Sequence, residues 1–255
     1  MKTQELRPGV NLYIFDALPS TMTEARRLAE SGEPEGTTVV ALQQSAGRGR
    51  LGRTWISPPG NLYLTMILKP QLPFQEVGKI SLLVGLALKH VLGTYIHPSR
   101  VQLKWPNDVL IDGKKIAGVL LEQVPDTALL VGIGINVLHA PKEVRYPAIA
   151  LADLGILIDP LQLIHALNET VIHLLNEFVQ GKYPHWHQDW MKSAYGLGES
   201  ISLYHESSTF LAAGIFRGID AGGSLVIQDE TGHDHAYYVG DVIFGPHPMR
   251  VTFAS

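Results

Sequence analysis

The sequence predicts an α+β protein: a mixed β-sheet with helices packed on it, followed by a small C-terminal β-barrel. Three observations carry this. Apolar, β-branched runs of strand length alternate irregularly with long amphipathic helical runs. Asp112-Gly113, between "VLI" and "KIAGVLLEQ", is a hairpin signal, because a tight type I′ turn needs positive φ at both central residues. After "AYGLG" the pattern changes to short strands and turns at regular spacing, as in a small barrel. The expected division is residues 1–197 and 198–255.

The elements follow in order. "RPGVNLYIFDALP" reads as an extended segment or strand bracketed by prolines. "STMTEARRLAESG" is a helix, with Thr21 and Glu24 at capping-box spacing and Gly32 as its stop. Strands are expected at 37–44 and 61–70. The run 76–95 is a long amphipathic helix with Ile80, Val84, Leu88 and Val91 on one face. "VQLKW" is a strand stopped by Pro106, and the Asp112-Gly113 hairpin follows. "ALLVGIGINVL" is a largely buried strand. A second long helix opens with Asp159 as N-cap and Pro160 at its first position, and Gly181 closes it. A shorter helix covers 184–195. From about residue 200 onward, "ISLYH", "STFLAAGIFRGID", "AGGSLVIQDE" and "HAYYVGDVIF" are the barrel strands, and none of them looks catalytic.

Composition narrows the function classes. The chain has 255 residues, 45% of them hydrophobic, enough for a proper core. Its net charge of -4 argues against a nucleic-acid coat protein. The absence of cysteine excludes disulfides, zinc-thiolate sites and an enzyme thioester, and fits a reducing, cytoplasmic compartment. The first residues lack a signal-peptide pattern, and no apolar run has the length of a membrane span.

"GRGRLGR" contains G-x-G-x-x-G at Gly47, Gly49 and Gly52. As a dinucleotide fingerprint it would need a helix behind it, and Pro58, Pro59 and Gly60 forbid one. The loop instead suits an anion. Glycines allow close backbone approach, and the guanidinium forks of Arg48, Arg50 and Arg53 match phosphate or carboxylate. A solvated basic loop or an RNA patch is the plainer alternative. Three further polar clusters sit at the ends of apolar strands: "KWPND" (104–108), "KKIAG" (114–118) and "GIGIN" (132–136). Each alone reads as ordinary strand-end or turn chemistry; together on one sheet they would converge. Lys115 alternates with Ala117 and Val119, which places one cation at the end of an apolar face. His185, His187, His233 and His235 form i, i+2 pairs without a carboxylate framework and read as surface histidines.

Taken in order, "STMTEA", "GTTVVALQQSAGRGRLGRTW", "GNLYLTMILKP", "LKWPNDVLIDGKKIAGVLLE" and "VGIGINV" resemble the biotin protein ligases (biotin–[acetyl-CoA-carboxylase] ligases) in register from about Ser20 to Val137. Met22 stands where that family usually has Asn, and Thr65 where it commonly has Ser. The resemblance implies a class II synthetase-like sheet, an SH3-like C-terminal barrel and a short form without an N-terminal DNA-binding domain. It also implies two half-reactions. Biotin and ATP, with Mg2+, give biotinyl-5′-AMP and pyrophosphate. A lysine of a biotin carboxyl carrier protein domain of acetyl-CoA carboxylase then takes the biotinyl group and releases AMP. Carried over residue by residue, Lys115 and Arg50 are catalytic. Ser20, Thr21, Gln44, Arg48, Gly49, Arg50, Lys115, Gly118, Gly132 and Gly134 bind biotin. Arg50, Arg53, Trp55 (stacked on adenine), Asn107, Lys115 and Asn136 bind ATP. Asp108 either holds magnesium or accepts the amine proton. The expected partners are biotin, ATP and the carrier domain, with no specific DNA and no membrane; monomer and homodimer both stay open. The competing readings are a lipoate or octanoate ligase or transferase, and a nucleic-acid binder using the arginine loop.

Overall fold

The computed structural model describes residues 1–142, 146–205 and 209–245. Its main sheet has eight strands: β1 (Lys2–Arg7), β2 (Val10–Phe15), β3 (Thr38–Ala41), β4 (Leu62–Leu68), β5 (Val101–Lys104), β6 (Asp108–Ile111), β7 (Lys114–Val124) and β8 (Ala128–Ile135). They run in the order β1-β2-β3-β4-β8-β7-β6-β5. Only β2 and β3 pair in parallel, so the sheet is mixed, as expected. Asp112 and Gly113 turn β6 into β7 with φ of 50° and 74°.

Period-two alternation sorts the two faces. Leu62, Leu64, Met66 and Leu68 of β4 point into a core shared with α2 (Lys79–Leu92) and α3 (Gln162–Val179). Ile67 of β4, with Val39 and Leu130, packs on the other side against Met22, Ala25, Leu28 and Ala29 of α1 (Thr21–Glu30). Burying a side chain such as Leu28 contributes roughly 1.5–3 kcal/mol. Helix α1 covers only part of its face, and the remainder is the floor of the cleft described below. No helix among the described residues is long and apolar enough to cross a membrane.

Several local expectations change. Helix α1 has no capping box: the Ser20 side chain makes no cap bond, and Glu24 pairs with Arg27 instead. A 3-10 turn at Phe74–Glu76 takes the start of the expected 76–95 helix. Asp159 does accept the N–H of Leu161 at 2.9 Å, but regular α3 begins three residues after it. The short helix is α4 (Trp186–Met191). β1 was not foreseen. The C-terminal strands β9 (Ser200–His205), β10 (Thr209–Ile219), β11 (Leu225–Gln228), β12 (Asp234–Tyr237) and β13 (Asp241–Phe244) form one antiparallel sheet in the order β12-β11-β10-β9-β13. The edge strands β12 and β13 do not pair with each other among the described residues, so a closed barrel is not seen there. The expected barrel's last stretch, 246–255, lies outside the described residues.

Candidate active site

The sheet register builds the floor. Tyr63 of β4 lies opposite Gly134 of β8, Gly134 opposite Gly118 of β7, and Gly118 opposite Asp108 of β6. The next row is Thr65, Gly132 and Leu120. The glycine pair makes a trough, and the indole of Trp55 fills part of it. A Cβ added at Gly134 would come within 2.5–2.6 Å of that ring, and one at Gly118 within 3.1 Å. The trough is part of a cleft of about 970 Å3, counting the solvent at its mouth.

Lys115 reaches this cleft by a different route from the one the alternation suggested. β7 carries a bulge: Val109 pairs with Ala117 and Leu110 with Lys115, leaving Ile116 as the extra residue. The bulge flips the phase. Ala117 and Val119 belong to the core on the helical face, whereas Lys115 joins Gly118 over the trough, its Nζ 3.3 Å from where a Gly118 Cβ would sit. The ammonium lies 2.6 Å from Asp108 Oδ1 and 5.1 Å from the Trp55 ring centre. Asn107 fixes this corner: its Nδ2 donates to Val119 O at 2.8 Å, and its own carbonyl accepts from Val119 N at 2.9 Å.

The arginine loop closes over the cleft with each cation already matched. Arg48 pairs with Glu122 of β7 at 3.2 Å, and Glu122 also holds Arg26 of α1. Arg50 donates weakly to Asn107 Oδ1, Gly240 O and Asp241 Oδ1 at 3.4–3.5 Å, and Arg53 pairs with Asp241. Burial pulls the Arg50 guanidinium below its usual range; nearby Asp108 opposes that shift and Arg53 adds to it. Carboxylates from β7 and β13 thus serve as internal counter-ions for the loop.

At the α1 end the lining is neutral. Ser20 is 3% exposed and its Oγ is buried without a partner. Gln44 Oε1 accepts from Thr21 N at 2.8 Å and lies 3.2 Å from Thr21 Oγ1, while its Nε2 donates to Ser57 Oγ at 3.0 Å. Thr65 Oγ1 bonds Thr21 Oγ1 at 2.8 Å. A buried hydroxyl with no partner marks the place of a polar ligand.

Of the residues singled out in the sequence, the cleft collects Ser20, Thr21, Gln44, Arg48, Gly49, Arg50, Arg53, Trp55, Asn107, Asp108, Lys115, Gly118, Gly132 and Gly134. Asn136 is the exception. It is buried, does not line the cleft, and spends its amide on Lys115 O and Ile149 O at 3.3 and 3.2 Å. Its amide nitrogen holds the backbone that carries Lys115. Sequence reasoning passed over Asp241 and Tyr146 and gave Lys104, in the KWPND cluster, no role; all three line the cleft, with Lys104 Nζ 3.9 Å from the Tyr146 ring centre. "GDVIFG" offered only a turn aspartate as a signal. Of the four histidines, His185, His233 and His235 are exposed, and His187 is half-buried. No group of three or more His, Cys, Asp or Glu that could hold a metal occurs among the described residues.

A neutral pocket, then a lysine–aspartate centre, then the arginines of a glycine-rich loop define a class of enzyme that couples a carboxylic acid to a phosphate-bearing nucleotide. Comparison with known proteins agrees. Residues 14–140 match the model of the biotin/lipoate A/B protein ligase family. A relative from Paracoccus denitrificans named biotin–[acetyl-CoA-carboxylase] ligase is 33% identical, covering 89% of this chain and 97% of its own. The bifunctional ligase/repressor BirA of Bacillus subtilis is 31% identical over 93% of this chain and 74% of its own. The biotin protein ligase from Aquifex aeolicus, solved with biotin and ATP, superposes with a TM-score of 0.80 at 30% identity, covering 92% of this chain and 99% of that one. This chain belongs to the biotin/lipoate A/B protein ligase family.

Proposed function

We propose that this chain is an ATP-dependent biotin protein ligase that loads the carrier domain of acetyl-CoA carboxylase. The observation that carries the reading is the order of groups along one cleft: an unpartnered Ser20 hydroxyl at the neutral end, Lys115 at the centre, and Arg50 and Arg53 toward the mouth. That order matches a ligand with a neutral polar ring, a carboxylate and a nucleotide.

Biotin's ureido ring lies at the α1 end, with Ser20 Oγ as its hydrogen-bond partner. Its carboxylate and the α-phosphate of ATP both turn to Lys115. The carboxylate oxygen attacks phosphorus, the bond to the bridging oxygen breaks, and pyrophosphate leaves. Negative charge grows on the α-phosphoryl oxygens, and a fixed ammonium beside them lowers that barrier. Arg48 and Arg50 exchange their carboxylate partners for the acyl phosphate, and Arg53 serves the triphosphate. Trp55 provides an aromatic face for adenine. Mg2+ travelling with ATP fits the oxygen donors here: Asp108 and Asn107 would hold it, phosphate oxygens and water supplying the rest, and it would neutralise phosphate charge. In the second step the carrier lysine's neutral amine attacks the acyl carbon, the bond to the phosphate oxygen breaks, AMP leaves, and the amine's surplus proton passes to Asp108 or to the departing phosphate.

The proposed division is a ligase domain over 1–197 and a C-terminal domain over 198–255 that docks on it. Trp105 Nε1 donates to Gly223 O at 3.0 Å, and Asp241 pairs with the arginine loop, in support of that docking. We further propose that the chain binds no DNA sequence specifically: its net charge of -4 opposes phosphate contacts away from the arginine loop. The reading carries a cytoplasmic location with it, where ATP and the carrier meet. The test is pyrophosphate release from ATP with biotin, lipoate or octanoate as the acid. Dependence on biotin supports the reading; dependence on octanoate or lipoate alone moves the chain to the sister activity.

A further inference from the structure

Beside Ser20 and Thr21 the cleft is lined by Met22. It sits in the first turn of α1 and is 3% exposed. A Cβ built on Gly132 would stand 2.9 Å from Met22 Sδ, 3.5 Å from its Cγ and 3.6 Å from Leu120 Cβ. Met22, Gly132 and Leu120 therefore meet as one apolar surface where α1 lies on the sheet. Unspent side-chain polar groups at this end are few. The oxygen and nitrogen of the Gln44 amide are each engaged, with Thr21 and Ser57, and Thr21 Oγ1 with Thr65; among the buried side-chain atoms of the lining without a hydrogen-bond partner, Ser20 Oγ lies here and Trp55 Nε1 lies over Gly134. One hydroxyl can satisfy only part of a cyclic urea, which has two donors and an acceptor.

We propose that Met22 sets the depth of the slot, so that this chain selects its acid chiefly by length, with the carboxylate fixed at Lys115 and the far ring stopped by the thioether. The inference rests on the ligase reading above and adds a specificity-determining residue to it. A methylene more or less in an apolar pocket changes discrimination by roughly 10- to 200-fold. Methionine is flexible enough to seal such a wall and, when shortened, leaves room for about that much extra ligand.

The experiment compares kcat/KM for biotin with that for homobiotin, the acid one methylene longer, by pyrophosphate release. Wild type should favour biotin by at least about tenfold. Met22→Ala should narrow or invert that preference. Met22→Leu, similar in volume, should keep it. Gly132→Ala, which pushes the thioether out of its place, should lower kcat/KM for biotin further than for the shorter norbiotin. Binding of each acid without ATP, measured by calorimetry, gives the same ratios independently of catalysis. If wild type binds biotin but releases no pyrophosphate, the ligase reading fails while the wall is still tested by binding. An unchanged biotin-to-homobiotin ratio in folded Met22→Ala overturns the inference.

Discussion

Replacing Lys115 by alanine should abolish most adenylate formation while leaving the fold intact. Lys115 Nζ stands 2.6 Å from Asp108 Oδ1, and its side chain is 26% exposed, so it works in a partly desolvated place. A unit charge about 3 Å from a developing oxyanion interacts by about 5.5 kcal/mol at an effective dielectric of about 20. Desolvation and residual water reduce this to the range seen when one fixed donor is removed, about 2.7–4 kcal/mol. That corresponds to two to three decades in rate at about 1.4 kcal/mol per decade. Partial exposure favours the lower end, a loss of about 100-fold. Stability should fall by about 1–3 kcal/mol, because Lys115 is partly reached by water while Asp108 Oδ1 is buried and would lose its ionic partner. The assay is biotin-dependent pyrophosphate release with circular dichroism and thermal melting as folding controls. Release within tenfold of wild type by a folded Lys115→Ala protein would refute the assignment.

Other substitutions separate the roles of the cleft. Ser20→Ala should leave the melting temperature unchanged or slightly higher, since it removes an unpaired buried hydroxyl, yet weaken biotin by roughly tenfold in calorimetry, the loss of one hydrogen bond; unchanged biotin affinity would contradict the placement of the ring. Gly134→Ala puts a methyl 2.5–2.6 Å from the Trp55 ring and should raise the KM for ATP by about tenfold or more while shifting indole fluorescence; a normal KM would remove Trp55 from the nucleotide site. Arg50→Gly should release biotinyl-AMP into solution, read as biotin appearing on bystander lysines of an added protein; no rise would mean that the loop does not retain the intermediate. Electrophoretic mobility shift with operator-length duplexes, biotin and ATP should show no sequence-specific retention, and specific binding at physiological salt would contradict the dedicated-ligase reading.

Much of the site was legible because it is local in sequence. "KWPND", "KKIAG" and "GIGIN" each end a strand on the same sheet, and the register brings Asp108, Gly118 and Gly134 into one row. Lys115 was found with the wrong phase, since a bulge at Ile116 leaves no mark in an alternation count. Asp241 was missed because its bond to Arg53 spans 188 residues and no local pattern encodes it. Strand β1 was missed because Lys2–Glu5 is an exposed edge without an apolar face. Thr21 and Glu24 have the spacing of a capping box, but Thr21 is the first helical residue and bonds Gln44 and Thr65, and the glutamate has Arg27. The motif that ends at Asn136 does not reveal that its amide braces the strand that carries Lys115.

The central claim is that one cleft makes and keeps an acyl-adenylate. It is tested most directly by mixing the protein with biotin and Mg-ATP without carrier, removing free small molecules by rapid gel filtration, and weighing what stays bound by mass spectrometry. The account expects biotinyl-5′-AMP at about one per chain, discharged when the carrier domain is added. ATP turnover with no bound biotinyl-AMP, or an adenylate that the carrier cannot discharge, would contradict it.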